Sequence, residues 1–234
     1  MSQSRSDAHH GESLVRQTLR TFREILFHPR RGFEHLSVHP NRVRIGLMMM
    51  VLVTIPYYVA YLPGYLFVEA GGVAEGWVTI WQRVVPFHSI YGFFCITFPW
   101  YYIVNLTLVG HFLFLGLFVE ESSDEPINTG AVFSIVIFAS QVPAMLDALV
   151  YEQFFVYYQL FTHATETPRW YYNILFSMIF IMLLWMPPLY YIGFKTLYQN
   201  ASRRFAVVAA ASAFLLNFIM NWLWWGKIPL SFYE

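Results

Sequence analysis

Long uncharged apolar segments constrain this chain more than any other feature of its sequence. The first of them runs from Ile45 to Phe67 without one charged side chain. An α-helix needs about 20 residues of this kind to cross a bilayer, and soluble cores do not need runs of that length. Charged residues make up 12% of the chain, about half of the usual fraction in a soluble domain. We therefore predict an integral membrane protein.

Several such segments predict an all-α fold, a polytopic membrane bundle of about five transmembrane helices with an N-terminal interfacial amphipathic helix. Within a membrane domain at 41–228, the predicted spans are 45–67, 88–118, 129–158, 171–196 and 205–225. The second span begins at 99 if its first third is interfacial, and the third ends between Val150 and Tyr158. Prolines interrupt the first four spans. We interpret them as kinks satisfied by neighbouring helices, with broken helices that line a transport site as the alternative.

The residues before the first span divide into a tail and a helix. Residues 1–13 are polar, which predicts a disordered tail, and the adjacent histidines in it are interpreted as incidental. Residues 14–40 predict a cytoplasmic, basic amphipathic helix that Pro29 ends, followed by a connector in which Phe33 continues the apolar contact. The apolar positions recur at helical spacing: Val15, Leu19, Phe22 and Leu26, with Ile25 beside them.

Arginines occupy another face of the same segment and predict its surroundings. A helix with one apolar and one cationic face suits the membrane interface, where basic side chains attract anionic headgroups. The expected headgroup contacts are Arg16, Arg20, Arg23, Arg30 and Arg31. Packing of the helix on the protein's own membrane domain is the alternative, and both can hold together.

The distribution of lysine and arginine predicts the orientation of the bundle. With the N-terminus inside, the inner segments hold eleven of these residues and the outer segments hold three: Arg83, Arg169 and Lys227. This asymmetry favours a cytoplasmic N-terminus and an outer C-terminus. The acidic loop 119–128 then lies inside. The formal net charge of zero does not indicate nucleic acid as a partner.

Polar and ionisable side chains in or beside the spans are the candidates for a ligand site. They are Asp147, Glu152, His88, Arg83, His111, Asn105 and Gln141. At a rise of about 1.5 Å per residue, Asp147 lies roughly 27 Å along the third span, at the outer edge of a core about 30 Å thick. His111 lies roughly 15–20 Å closer to the inner face by the same rise. Asp147 and Glu152 are therefore expected to pair with outer cations: Arg83, His88, His163 or Arg169.

Each candidate has a functional and a structural interpretation. Asp147 and Glu152 fit either a polar site for a substrate or lipid headgroup, or structural ion pairs beside water-exposed interfacial residues. A lone histidine such as His111 fits a hydrogen-bonded packing residue, with a proton-sensitive group as the alternative. Asn105 and Gln141 fit interhelical hydrogen bonds.

No combination of residues predicts an enzyme. The sequence contains no His-Glu-x-x-His, no Gly-x-Ser-x-Gly and no Walker loop. The single cysteine, Cys95, excludes an intrachain disulfide and a cysteine-built metal site. We therefore expect no catalytic residue, no cofactor and no metal.

Three segments carry a further signal through their order along the chain. They are FREILFHPRRGFEHL before the first span, FSIVIFASQVPAMLDAL in the third span, and WMPPLYYIGFKTLYQNASRRFAVVAAA between spans four and five. Over about residues 19–225, the chain resembles the Yip family, the Ypt/Rab-interacting multispan membrane proteins. The residues that carry the resemblance are Pro29, Phe33, Pro143, Gly193, Lys195 and Ser202.

This resemblance implies a non-enzymatic protein of membrane organisation or vesicle-type traffic. The sequence lacks the long cytosolic N-terminal region and the Asp-Leu-x-Gly-Pro passage of the eukaryotic members. Both absences argue against binding of a Rab-type GTPase. The chain is closer to the bacterial relatives, and this resemblance implies the cytoplasmic membrane of a bacterium. The expected partners are the lipid bilayer, anionic headgroups at the inner face, and other chains in a homo- or hetero-oligomer.

Two hypotheses for the function follow. A membrane-organising protein would form a closed bundle, with its polar groups satisfied locally. It would contact partners through its basic helix, its acidic loop and the small-residue faces of span five, formed by Ala206, Ala209, Ala210 and Ala213. A small transporter or channel would instead show a continuous polar cavity lined by Asn105, Gln141 or His111.

Overall fold

Helices account for every regular element in the part of the chain that the structure describes. The computed structural model describes residues 12–69, 90–120, 128–152 and 169–230. The elements are α1 (Leu14–Phe27), α2 (Pro29–Val38), α3 (Arg42–Glu69), α4 (Ile90–Glu120), α5 (Thr129–Leu146), a π-helical turn (Asp147–Glu152), α6 (Arg169–Leu197) and α7 (Arg203–Leu230). The predicted all-α fold is confirmed for these residues.

Three stretches are long and apolar enough to cross a membrane. They are Tyr101–Val119 in α4, Thr129–Val150 in α5 and the turn that follows it, and Arg203–Asn221 in α7. By length and composition, they confirm the prediction of apolar spanning helices. Helices α3 and α6 cover the predicted first and fourth spans with 28 and 29 residues.

Helix α5 is the central helix of the bundle. It contacts α2, α3, α4 and α6, and 76% of its spanning stretch is buried, against 33% in α4 and 28% in α7. Side chains on several sides of α5 are completely buried, including Ile135, Val136 and Phe138. Helices α4 and α7 instead leave apolar side chains such as Leu117 and Val208 exposed. A helix that is apolar on all sides suits the central position, because every side can be buried.

Pro29 sets the break between α1 and α2. Proline has no N–H with which to extend the hydrogen-bond ladder of α1, but it is favourable in the first turn of α2. The two helices then approach closely, since a Cβ added to Gly32 would lie 2.6 Å from Ile25 Cγ1. The residues after Pro29, where the sequence predicts a connector, are helical. They form α2, because Phe33 and Leu36 lie one turn apart and are buried together.

At one end of the bundle, hydrogen bonds join the starts of α3 and α5 and connect the end of α6 to α4. Arg42 Nη2 donates to Asn128 Oδ1 at 2.9 Å, which joins the starts of α3 and α5. Tyr198, just after α6, donates from its hydroxyl to the Phe112 carbonyl of α4 at 3.1 Å. We call this the basic end. Its cations are Arg16, Arg20, Arg23, Arg30, Arg31, Arg42, Arg44, Lys195, Arg203 and Arg204.

Side chains close the turn between α6 and α7. Lys195 Nζ donates to the carbonyls of Gln199 at 2.9 Å and Ala201 at 2.8 Å. Ser202 Oγ accepts from Phe205 N at 3.2 Å, which caps the start of α7. In this structure, Lys195 and Ser202 therefore hold the connection between two helices.

Candidate functional site

Four polar side chains meet in the interior between α4 and α5. We call Tyr101, Asn105, Ser140 and Gln141 the polar cluster. The last three are between 2% and 4% exposed. The Tyr101 hydroxyl donates to Gln141 Oε1. Gln141 Nε2 donates to Asn105 Oδ1 at 2.8 Å, and Asn105 Nδ2 donates to the Tyr101 carbonyl at 2.8 Å.

These hydrogen bonds close the polar cluster on itself. Tyr101, Gln141 and Asn105 form a ring, and the Ser140 hydroxyl lies 2.8 Å from Asn105 Oδ1 and 3.0 Å from Gln141 Nε2. A buried polar group without a partner costs about 1–3 kcal/mol, so a ring of partnered groups clamps two helices together. Asn105 and Gln141 were predicted candidates, and the structure brings them together. Tyr101 was missed, because a tyrosine in an aromatic-rich span gives no sign of which way its hydroxyl points.

The candidates at the opposite end of α5 stay predictions. Arg83 and His88 lie outside the described residues, as do the side chains of Asp147 and Glu152. Asp147 begins the π-helical turn that follows α5. Pro143 lies inside α5 shortly before this turn. Proline has no N–H for the carbonyl four residues earlier, and a π-helical turn is one way in which a helix ladder adjusts.

His111 connects α4 to α7. Its Nε2 lies 2.9 Å from Ser212 Oγ. Because the Ser212 hydroxyl donates to the Ala209 carbonyl at 3.0 Å, we assign the imidazole Nε2 as the donor to Ser212. The histidine is a hydrogen-bonded link between two helices in this structure. A similar link joins α7 to α6, where Asn217 Nδ2 donates to the Tyr190 hydroxyl at 3.1 Å.

One packing contact joins residues from all three segments on which the predicted Yip-type resemblance depends. We call Phe33, Ile135 and Gly193 the motif junction. A Cβ added to Gly193 would lie 2.7 Å from Ile135 Cγ2 and 3.9 Å from Phe33 Cε2. Phe33 and Ile135 are completely buried. Helices α2, α5 and α6 therefore meet here, and the contact with Ile135 of α5 leaves no room for a Cβ at position 193.

The cations of the basic end differ in whether a carboxylate compensates them. The ion pairs are Arg20–Glu12 at 2.8 Å, Arg30–Glu34 at 3.0 Å and Arg31–Glu24 at 3.7 Å. An open cleft of about 460 Å³ lies at the turn between α1 and α2, and the arginines that line it, Arg30 and Arg31, are both paired. Arg16 and Arg23 form no ion pair with any described residue. Two of the five arginines predicted to contact headgroups are therefore uncompensated.

The bundle buries only part of the apolar pattern of α1, in which Phe22 and Leu26 pack against the core beside Ile25. Thr18 and Ile25 are completely buried and Gln17 is 6% exposed, whereas Val15 and Leu19 are 41% and 44% exposed. Two polar residues can be buried because both donate to nearby backbone. Thr18 Oγ1 bonds a carbonyl one turn earlier at 2.8 Å, and Gln17 Nε2 bonds a carbonyl just before the helix at 2.9 Å. Helix α1 therefore packs on its own bundle, and Val15 and Leu19 stay exposed as an apolar edge.

The small-residue faces of α7 are occupied inside the bundle, contrary to their predicted role as partner surfaces. The four alanines are between 0% and 4% exposed: Ala206, Ala209, Ala210 and Ala213. Helix α7 packs against α4 and α6, and small side chains allow such helices to approach closely. These faces are therefore not free for another protein.

Metal binding and similarity to known proteins add no assignment. In the ranges that the structure describes, no three His, Cys, Asp or Glu residues are grouped so that they could hold a metal ion. No family model, no curated protein and no solved structure matches this chain.

Proposed function

We propose that this chain is a five-span, non-enzymatic membrane protein of the Yip type that organises a membrane through contacts with lipid and with other proteins. Its N-terminus is in the cytoplasm and its C-terminus is outside, in a bacterial inner membrane. One observation carries the proposal. The polar cluster, which includes two of the residues that a transporter would use, is closed on itself.

A polar group that serves a transported substrate has to exchange partners as the substrate passes. Asn105 and Gln141 instead bond each other and Tyr101. Breaking the ring without a replacement would leave several buried groups unpartnered, at about 1–3 kcal/mol each. This arrangement supports a static role in helix association.

The span count is supported by helix length and by charge. Helices α3 and α6 contain 28 and 29 residues, and each is about 42 Å long at a rise of 1.5 Å per residue. Both lengths exceed a bilayer core of about 30 Å. Together with α4, α5 and α7 they make five spans. Eleven lysines and arginines on one side against three on the other support a cytoplasmic basic end.

Accessibility of introduced cysteines tests this topology. In a Cys95→Ser background, Ser13→Cys and Gln199→Cys at the basic end should resist a membrane-impermeant maleimide in intact cells. Both should react once the membrane is permeabilised. Thr165→Cys, in the predicted outer loop, is the control and should react in intact cells. The reverse labelling pattern would exclude a cytoplasmic basic end.

Photo-crosslinking in living cells tests the organising role. A photoreactive residue is placed at Val51 or Val208, which are exposed on α3 and α7, and in a control variant at Val136, which is completely buried. The exposed positions should capture a recurrent protein or lipid, and the buried position should capture only neighbouring parts of the chain. Recovery of the bare monomer from all three variants would contradict the proposal.

A small transporter or channel is the second candidate, and one observation favours it. The π-helical turn Asp147–Glu152 follows the proline-containing α5, and π-helical geometry is frequent at functional sites. In the Cys95→Ser background, Ser140→Cys discriminates the two functions. A water-filled path would let a small hydrophilic thiol reagent modify this position in the folded protein. The closed polar cluster predicts no reaction until the protein is denatured.

A further inference from the structure

Helix α1 presents three faces with three different surroundings. Thr18 and Ile25 face the bundle and are completely buried. Val15 and Leu19 are one turn apart and form an exposed apolar edge. At about 100° per residue, this edge lies between the buried face and the arginines. A helix that only packed on its own bundle would not need a second apolar side.

The arginines beside this edge have no compensating carboxylate in the described residues. Arg16 and Arg23 are seven positions apart, so they lie on the same side of α1, about 10 Å from each other along the helix. Both are exposed, and neither forms an ion pair. We call these two residues the arginine edge, and Val15 and Leu19 the apolar edge.

The position of α1 suits a membrane surface. Three residues, 39–41, separate α2 from α3, so the α1–α2 hairpin lies where the first predicted span begins. Arginines without an ion pair recur on other helices of the basic end, at Arg44 of α3 and at Arg203 and Arg204 of α7. Spread over several helices in this way, they fit a planar anionic surface better than one compact protein partner.

We infer that α1 binds anionic phospholipid. The apolar edge inserts between the acyl chains, and the arginine edge contacts the phosphates of the headgroups, while the third face of α1 holds the helix on the bundle. This inference rests on the proposed placement of the chain in a membrane and names the partner of its basic end. Anionic lipid is the occupant because the exposed cations lie directly beside an apolar surface.

Fluorescence of the full chain in nanodiscs tests the inference. An environment-sensitive probe is attached at Leu19→Cys in the Cys95→Ser background. The nanodiscs contain phosphatidylcholine alone or phosphatidylcholine mixed with phosphatidylglycerol. Blue-shifted emission is expected, with quenching by brominated acyl chains that is stronger for phosphatidylglycerol. We call the stronger binding of α1 to nanodiscs that contain phosphatidylglycerol its lipid preference. Each arginine of the arginine edge should contribute about five-fold to this preference.

A charge-matched pair of variants isolates the arginine edge. Arg16→Gln with Arg23→Gln should abolish most of the preference for phosphatidylglycerol. Arg30→Gln with Arg31→Gln removes the same charge from arginines that already have carboxylate partners and should retain most of it. Equal elution volumes in gel filtration would show that both variants are folded.

Three outcomes would overturn the inference. The first is water-like emission from the probe in both lipids. The second is an unchanged lipid preference when Arg16 and Arg23 are replaced. The third is a blue shift that appears only after soluble cytosolic protein is added, because the edge would then be a protein-docking surface. The nanodiscs have identical leaflets, so these results do not depend on the orientation that the maleimide experiment tests.

Discussion

The polar cluster and the arginine edge handle polar groups in opposite ways. Inside the bundle, Asn105 and Gln141 are almost inaccessible and bond each other. On α1, Arg16 and Arg23 are exposed and have no ion pair in the described part of the chain. Both regions belong to helices that pack on α5. The contrast teaches that a buried polar group needs a partner built into the chain, whereas a surface group can take one from its surroundings.

The largest loss of stability is expected when the hydrogen bonds of the polar cluster are broken. Asn105→Leu removes the oxygen that accepts from Gln141 and lies within hydrogen-bond distance of the Ser140 hydroxyl. The free energy of unfolding should fall by about 2–3 kcal/mol, because buried donors lose their partner. Titration of the purified protein with a denaturing detergent measures this. If the loss is caused by orphaned groups, adding Gln141→Leu should cost less than the two single changes summed.

A close helix contact should give the next largest effect. Gly193→Ala places a methyl group 2.7 Å from Ile135 Cγ2, and overpacking of this kind costs about 1–3 kcal/mol. Gly110→Ala is the matched control, because its Cβ meets nothing within 4 Å. A helical glycine that becomes alanine should gain up to about 1 kcal/mol. Equal stabilities of the two variants would show that the motif junction is not tight.

Removal of a cation that has hydrogen-bond partners within the chain should cause a smaller loss of stability. Lys195→Met removes two hydrogen bonds to the carbonyls of Gln199 and Ala201. The free energy of unfolding should fall by about 1–2 kcal/mol, since each of the two net hydrogen bonds contributes about 0.5–1.5 kcal/mol. Arg204→Gln is the control, because Arg204 is exposed and has no ion pair with a described residue. If Arg204→Gln lost as much stability as Lys195→Met, the hydrogen bonds of Lys195 would not explain the loss.

The smallest effect is expected from a surface ion pair. Arg30→Gln breaks the exposed pair with Glu34, four residues further along α2. Pairs of this type contribute about 0.3–0.5 kcal/mol, so the midpoint of the detergent titration should hardly move. The upper end for exposed ion pairs is about 1 kcal/mol. A larger loss of stability would mean that the ion pair between Arg30 and Glu34 stabilises the fold.

Much of the architecture follows from the sequence, because it depends on local chemistry. Apolar runs long enough for a bilayer predict helices where α3, α4, α5, α6 and α7 lie. Pro29 marks a helix boundary because it lacks an N–H. Charged and polar positions in or beside the spans are visible as candidates, and two of them, Asn105 in the second span and Gln141 in the third, contact each other.

The rest depends on how helices rotate against one another, which a single sequence does not specify. Of the apolar positions in α1, Val15 and Leu19 stay exposed, whereas the polar residues Thr18 and Gln17 are buried. Thr18 Oγ1 and Gln17 Nε2 bond nearby backbone carbonyls, which lowers the cost of their burial, although Gln17 Oε1 has no hydrogen-bond partner among the described residues. Tyr101 and Ser140 join the polar cluster only because of the way in which α4 and α5 are turned toward each other.

The central position of α5 has a consequence for the way in which the protein is made. A chain emerges from the ribosome N-terminus first, so Asn105 of α4 emerges before its partners on α5, which lie 35 and 36 residues further on. Arrival of α5 completes the ring, and α6 can dock at Ile135 only afterwards. We therefore expect the contacts of the finished bundle to form in chain order: the ring between α4 and α5 first, then the contact of Gly193 with Ile135, and last the hydrogen bonds that connect α7 to His111 and Tyr190.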